Sequence, residues 1–495
     1  MNFVGFVGER LSRMGPAWTA FIGSLLLSLI AISRSVTPNN DGMYYIEVAQ
    51  RFQEGGLAAA RQLFDWLFFP LVVAKTSSLF GISAETAAYV VCSLFLAGTC
   101  ALIVACVRRE FFEAGWATCV VVLALPALNA YRDYVIREFG AWFFLWLAIY
   151  FLQRWLEASA WWRALLAQFC VCIAALFRPE YLVFLFAFLG WRLQWIRQPG
   201  GREKFLKMSV LVAAGIAAAG IGWLLADTQF TDRVIAQFMA VQPGRLHASL
   251  QLSADRLAAT LLNKYSADEA LSILFFGLLS IIPIKFIWNL GWFAIPAFLA
   301  LRWQSMKIRH GEWHSLIHWI FAFYLMVLIG VVLEKYFLTG RYVAPLAIFA
   351  IPVISLGGWQ AWERWPRWRI VMTITAVLLM LANVISIGAA KTRFESAAKW
   401  IGEQKIAGNL VYSEVPEVTY LRGWGVTPYA VQLERDAVAA AIKAGKYDLA
   451  VLQGASRNQD TERWAGNQGL ELAARFDDRG KKTVLIFRRP NLQAR

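Results

Sequence analysis

The feature that most constrains this chain is a series of apolar runs recurring from residue 17 to residue 387, separated by short polar or basic segments. A helix that crosses a bilayer needs about 20 mainly apolar residues, and about eleven of the runs supply that length once interfacial ends are included. Their apolar cores lie at 17–32, 87–107, 116–128, 139–152, 164–177, 181–195, 208–226, 271–301, 316–333, 342–356 and 370–387. Composition agrees. Hydrophobic residues make up 59% of the chain and charged ones 16%, against about 45–50% and about 25% in soluble domains. The expected fold class is an all-α polytopic membrane protein with about 11 transmembrane helices. The first run follows Arg10 and Arg13, and no convincing small-x-small cleavage site comes after it. It reads as an uncleaved span. The 271–301 run exceeds one span and leaves room for an interfacial helix ahead of it.

The formal net charge is +15, but the basic residues fall in clusters between apolar runs rather than on one contiguous surface. That pattern, without a base-reading motif, excludes a nucleic-acid partner. With the N-terminus inside, every expected inner segment is basic: Arg10 and Arg13, Arg108 and Arg109, Arg154 and Arg163, the 192–207 cluster, Arg302 with Lys307 and Arg309, and Arg364 with Arg367 and Arg369. The short outer loops carry fewer cations, as the positive-inside rule requires. This orientation predicts a multi-pass plasma membrane protein (the bacterial inner membrane) whose polar outer segments face the periplasm or exterior. The 66–74 run is about half a spanning length. Crossing there would invert every later loop, so it reads as a helix lying in the outer interface.

Two domains are expected: 1–390, the membrane part, and 391–495, a polar tail on the outer side. In the tail, strand-like runs at 410–413, 449–452 and 483–487 alternate with helical stretches at 395–404 and 436–444. Such alternation predicts a small α/β domain. It has neither GxGxxG nor a P-loop, so no nucleotide site is expected there. The six cysteines all lie in apolar runs and read as small buried hydrophobes, with neither disulfide nor metal spacing. His310, Glu312 and His314 imitate a zinc motif, but HExxH needs Glu directly after the first His. No metal site is indicated.

The residues able to carry chemistry gather in the outer loops. After Asp41, Tyr45, Val48, Ala49 and Phe52 recur at helical spacing, predicting a surface helix that begins at Asp41. Asp41 there is either an N-cap or a carboxylate held at the membrane boundary as a general base. Asp65 poses the same alternative ahead of the interfacial helix. In the second loop Asp133 and Arg137 stand four apart, with Arg132 and Glu138 beside them. Helical salt-bridge pairing would explain the spacing, yet four charges exceed what anchoring needs. Arg178-Pro179-Glu180 opens the next helix, where Glu180 meets the positive end of the dipole and Arg178 can snorkel. Lys335, Arg341 and Tyr342 occupy the fifth loop. Arginine binds phosphate oxygens bidentately, which makes Arg341 a candidate ligand for a lipid phosphate.

The first span followed by Asp41 and Tyr44-Tyr45, the charged second loop, Arg178-Pro179-Glu180 and Gly340-Arg341-Tyr342-Val343-Ala344-Pro345 together resemble the GT-C glycosyltransferases. These include the aminoarabinose transferases of lipid A and the protein O-mannosyltransferases. The resemblance covers the architecture of most of the chain through short, loose motifs. It implies a polyprenyl-phosphate-linked sugar donor and a lipid, glycan or protein acceptor. It also implies Asp41 as base, a second acid at Asp133 or Glu138, and donor contacts at Arg341, Arg178, Lys335 and Tyr45. No cofactor beyond the lipid-linked sugar is implied with certainty, and a divalent metal lacks a ligand cluster. Many family members carry Asp-Glu where this chain has Asp41-Gly42, which leaves subfamily and acceptor open.

The opposing expectation is a transporter or lipid flippase of the cell envelope. Transporters place ionisable groups near the midplane, often within repeated halves. Here the span cores are nearly charge-free apart from Lys285, and the acids gather in the loops. Glycosyl transfer is the better fit, and it requires Asp41 and the arginines at later helix ends to face one water-filled pocket.

Overall fold

The computed structural model describes residues 15–225, 242–303, 311–385, 392–425, 433–455, 460–477 and 482–489. Arg10, Arg13, Lys307, Arg309 and His310 lie outside the described residues. The chain divides into two compact units. The first comprises Met1–Leu26, Ser93–Tyr131 and Arg137–Val384, and the second Leu27–Cys92, Arg132–Ile136 and Ile385–Arg495.

The first unit is helical. Among the described residues, five helices are long and apolar enough to cross a membrane: Ala84–Glu110, Glu138–Ala158, Ala267–Trp303, Glu312–Lys335 and Pro366–Val384. A sixth is added if Gly340–Phe349 and Ile351–Arg364, bent by 56°, count as one. The chain is a multi-pass membrane protein, and the expected count of about eleven is not confirmed. Several of the apolar runs are broken locally. The 116–128 run stops at Ala124 because Leu125, ahead of Pro126, is extended, as a residue before proline prefers. The 181–195 run opens with a 3-10 turn, Pro179–Leu182, and leaves only Val183–Gln194 as helix. Within the Ala267–Trp303 span, Gly291, at φ 53°, separates helix Ala270–Leu290 from helix Ala294–Trp303.

Aromatic side chains fill the interior of this unit, with Trp142, Trp146, Trp155, Trp191, Phe177 and Phe184 fully buried. The Pro366–Val384 helix does the opposite. Only 6% of its apolar window is buried, and Ile370, Ile374, Val377 and Leu378 point outward. Lipid is the solvent that such a face suits. An apolar cavity of about 350 Å³ is lined by Leu246, Leu250, Leu271, Phe275, Phe276 and Leu333, among others.

The second unit brings loop and tail together. Helix Asn40–Arg61, kinked at Gly56, packs on helix Phe68–Phe80 through Val48, Ala60 and Leu67. The tail is the expected α/β domain. Strands β1 (Val411–Ser413), β2 (Leu449–Ala455), β3 (Glu471–Asp477) and β4 (Lys482–Arg488) lie in the order β1-β2-β4-β3. β1 and β2 are parallel, and the other two pairings are antiparallel. β4 alternates its side chains between two cores. Val484 and Ile486 face Phe394 and Ile401, while Leu485 and Phe487 face Val438 and Ile442. Helix Pro416–Leu421 meets the loop region, where the Tyr420 hydroxyl donates to Glu85 Oε2 at 2.6 Å.

Candidate active site

Asp41 lies in the first turn of Asn40–Arg61, half-buried, on the amphipathic helix its spacing predicted. It is not the N-cap. Asn39 holds that position, and its side chain makes no capping bond. The Asn39 Oδ1 instead accepts the backbone N–H of Val135 at 2.8 Å. A Cβ on Gly42 would stand 2.7 Å from the Val135 Cβ and 2.7 Å from the Asn39 Oδ1. The close approach of the second loop therefore accounts for Gly42, where a larger residue would push that loop away.

The rest of the helix faces inward. Tyr45 is buried, edge-on to Phe69 at 5.3 Å and tilted to Phe64 at 5.7 Å. Tyr44 donates to the Leu63 carbonyl, and burial followed by the charge of Asp65 raises its pKa. Glu47 pairs with Arg51 at 3.1 Å. Asp65 lies in a bend ahead of helix Phe68–Phe80, whose N-cap position is Leu67.

The second loop is not helical. A turn carries Asp133, and residues 134–136 are irregular, so the four-residue spacing to Arg137 does not act on a helix face. Three contacts pin the segment. Arg132, buried, donates to Ser28 Oγ at 3.0 Å. Val135 donates to Asn39, and the Cys92 thiol stands 3.6 Å from the Ile136 carbonyl oxygen.

The first unit holds a cationic cluster. Arg178 does not snorkel; its side chain is 9% exposed. It bonds Glu180 Oε1 through Nε at 2.7 Å and Glu138 Oε1 through Nη1 at 3.4 Å. Its guanidinium lies 4.6 Å from the centre of the Tyr342 ring. Glu138, also buried, has Arg178, Arg341 and Arg137 as its charged neighbours. Of these, Arg178 is bonded to the carboxylate directly. Arg341 is the second residue of helix Gly340–Phe349. A Cβ on Gly340 would stand 2.7 Å from the Tyr131 hydroxyl, and its carbonyl accepts from Asn289 Nδ2 at 3.1 Å. Tyr324 donates to the Tyr342 carbonyl at 2.9 Å, fixing the same turn. Lys335 is exposed and pairs with its neighbour Glu334 at 2.8 Å.

Asn39 and Tyr131 do not stand out as site residues in the sequence; each is recognisable only through a partner distant in the chain. Among the described residues no group of three or more His, Cys, Asp or Glu side chains could hold a metal ion.

No family model matches the sequence, and neither does any curated protein. Solved structures do. An oligosaccharyltransferase of Archaeoglobus fulgidus, tethered through a disulfide to an acceptor peptide with an NVT sequon, aligns with 88% of this chain and 69% of its own at a TM-score of 0.53 and 9% identity. The fold is of the GT-C type. ArnT from Cupriavidus metallidurans in the apo state aligns with 94% of this chain and 97% of its own, at a TM-score of 0.44 and 13% identity. Within the GT-C fold, the Arg178 cluster belongs to the apolar helical unit and Asp41 to a loop helix of the second unit.

Proposed function

We propose that this GT-C protein is a glycosyltransferase that moves a sugar from a polyprenyl-phosphate-linked donor to a lipid, glycan or protein acceptor. The observation that carries the reading is the buried Arg178, paired with Glu138 and Glu180 and lying against Tyr342, with Arg341 beside Tyr342 in the first turn of an apolar helix. Helix N-termini and guanidinium groups both favour phosphate. The apolar cavity lined by Phe275 and Phe276 suits a hydrocarbon chain.

In this mechanism Asp41 takes the proton of the acceptor hydroxyl as that oxygen attacks the anomeric carbon. The bond from that carbon to the phosphate oxygen breaks, and the polyprenyl phosphate leaves with the electron pair. Arg341 and Arg178 stabilise the charge that develops on it. Glu138 and Glu180 hold Arg178 in place, Asp133 assists as a second acid on the acceptor side, and Lys335 adds positive potential. Tyr45 supports the Asp41 helix through Phe64 and Phe69. Residues 1–390 form the catalytic membrane domain and 391–495 an extracytoplasmic domain. The basic inner segments set the protein in the plasma membrane, bacterial inner membrane, with its chemistry outside.

The test is Asp41→Asn, assayed in membranes supplied with radiolabelled polyprenyl-phosphate sugars. Transfer is expected to be lost while expression and insertion are retained. Full activity in the variant would remove Asp41 from the base role.

A further inference from the structure

We infer that Asn39 and Gly42 form a positioning clamp that fixes the Asp133 loop over the first turn of the Asp41 helix. The inference deepens the glycosyl-transfer reading and rests on it for its catalytic consequence. Its geometry is independent of that reading.

Three observations converge. Asn is a favoured N-cap because its side-chain oxygen accepts a backbone N–H of the first turn. Asn39 occupies the cap position, yet that oxygen is turned away from its own helix and accepts from Val135, 96 residues later. Next, Gly42 removes the side chain that would separate the two segments. A Cβ there would meet the Val135 Cβ and the Asn39 Oδ1 at 2.7 Å each, and the Val135 carbonyl oxygen at 3.2 Å. Real Cβ atoms essentially never stand under 3.0 Å from another heavy atom, and the Val135 Cβ is fixed to its own backbone, so the loop would have to move. Finally, Arg132 and Ile136 are tethered at the two ends of the same segment, by Ser28 and Cys92. The segment is therefore fixed at both ends and clamped in the middle, two residues from Asp133.

The arrangement gives the Asp-Gly pair a purpose. Asn39 gives up capping its own helix to bind the second loop, and Gly42 makes the contact short enough to hold. Both residues act through others. They are positioning residues, and their effect belongs on turnover rather than on donor binding.

The experiment uses the full-length protein in lipid nanodiscs, with variants Asn39→Ala, Asn39→Asp and Gly42→Ala. Hydrogen exchange is followed on the peptide spanning 131–137, and transfer is assayed with radiolabelled polyprenyl-phosphate sugars. Asn39→Ala is expected to speed exchange at Val135 and lower kcat by about 10- to 100-fold, the cost of displacing a reacting group by about 1 Å. KM for the donor should change less than about twofold, since donor-binding groups are untouched. Asn39→Asp keeps an acceptor oxygen and is expected to restore slow exchange and most of kcat. Gly42→Ala should open the loop although Asn39 is intact. Unchanged exchange in Asn39→Ala would overturn the clamp. Faster exchange with unchanged kcat would overturn its catalytic role. Should the wild type transfer no sugar while exchange still responds to Asn39, the glycosyl-transfer reading fails, taking the catalytic role with it, and the clamp stands.

Discussion

Tyr420 and Glu85 are 335 residues apart in the chain and joined by a 2.6 Å hydrogen bond, the phenol donating to the carboxylate. Glu85 lies in the first turn of the helix Ala84–Glu110, and Tyr420 is the last but one residue of the short helix Pro416–Leu421 of the α/β domain. The bond therefore anchors that domain to the base of the first loop.

Tyr420→Phe is expected to loosen this anchor. A hydrogen bond to a charged group contributes about 1.5–3 kcal/mol. The measurable outcome is faster proteolysis of the α/β domain at unchanged membrane insertion. The same contact predicts an alkaline transition. Burial first, then the Glu85 hydrogen bond and charge, raise the Tyr420 pKa above its ordinary value of 10.0. A group raised on folding stabilises fully below its unfolded pKa, and that stabilisation is lost as pH climbs through the folded value. Proteolysis should thus accelerate above pH 10 in the wild type and show a weaker pH response in Tyr420→Phe.

Arg178→Ala leaves Glu138 buried without the guanidinium bonded to it. Breaking a buried pair from one side costs about 3–5 kcal/mol. Thermal unfolding in detergent should show the loss. The double variant Arg178→Met, Glu138→Leu should recover much of the stability and none of the transfer activity. Glu180→Gln, at a side chain 23% exposed, should cost less than either single change.

Gly340→Ala should disturb the start of the Arg341 helix, because the new methyl would stand 2.7 Å from the Tyr131 hydroxyl. Overpacking of this kind costs about 1–3 kcal/mol. Adding Tyr131→Phe removes the clashing oxygen. The double variant should regain part of the melting temperature lost by Gly340→Ala.

Arg192 serves as a contrast. It is fully buried, 2.7 Å from Glu312, and its guanidinium lies over the Trp191 ring at 4.5 Å. Arg192→Ala is expected to destabilise by about 3–5 kcal/mol with no change in KM for the donor among folded molecules. A raised KM would place the group in substrate recognition.

Much of this organisation was legible in the sequence because it is written in local periodicity. The Asp41 helix follows from Tyr45, Val48 and Phe52, and three of the four strands follow from short β-branched runs flanked by turns. Strand β3 escaped because Glu471, Arg475 and Asp477 break its apolar pattern, as they can on an exposed edge strand with a bulge at Leu472 and Ala474. Hydropathy does not register backbone breaks: Pro126 and Gly291 interrupt runs that are continuous in composition. The site was half visible. Charges at helix ends point to Arg178 and Arg341, but Asn39 looks like an ordinary cap until its partner 96 residues away is known.

The outward-facing helix Pro366–Val384 has a consequence for handling the protein. Its 19 residues rise about 28 Å, close to the hydrocarbon thickness of about 30 Å. With so little of its surface held by other helices, its fit depends on the surrounding acyl chains. Reconstitution into very short- or very long-chain lipids should tilt or strain this segment first.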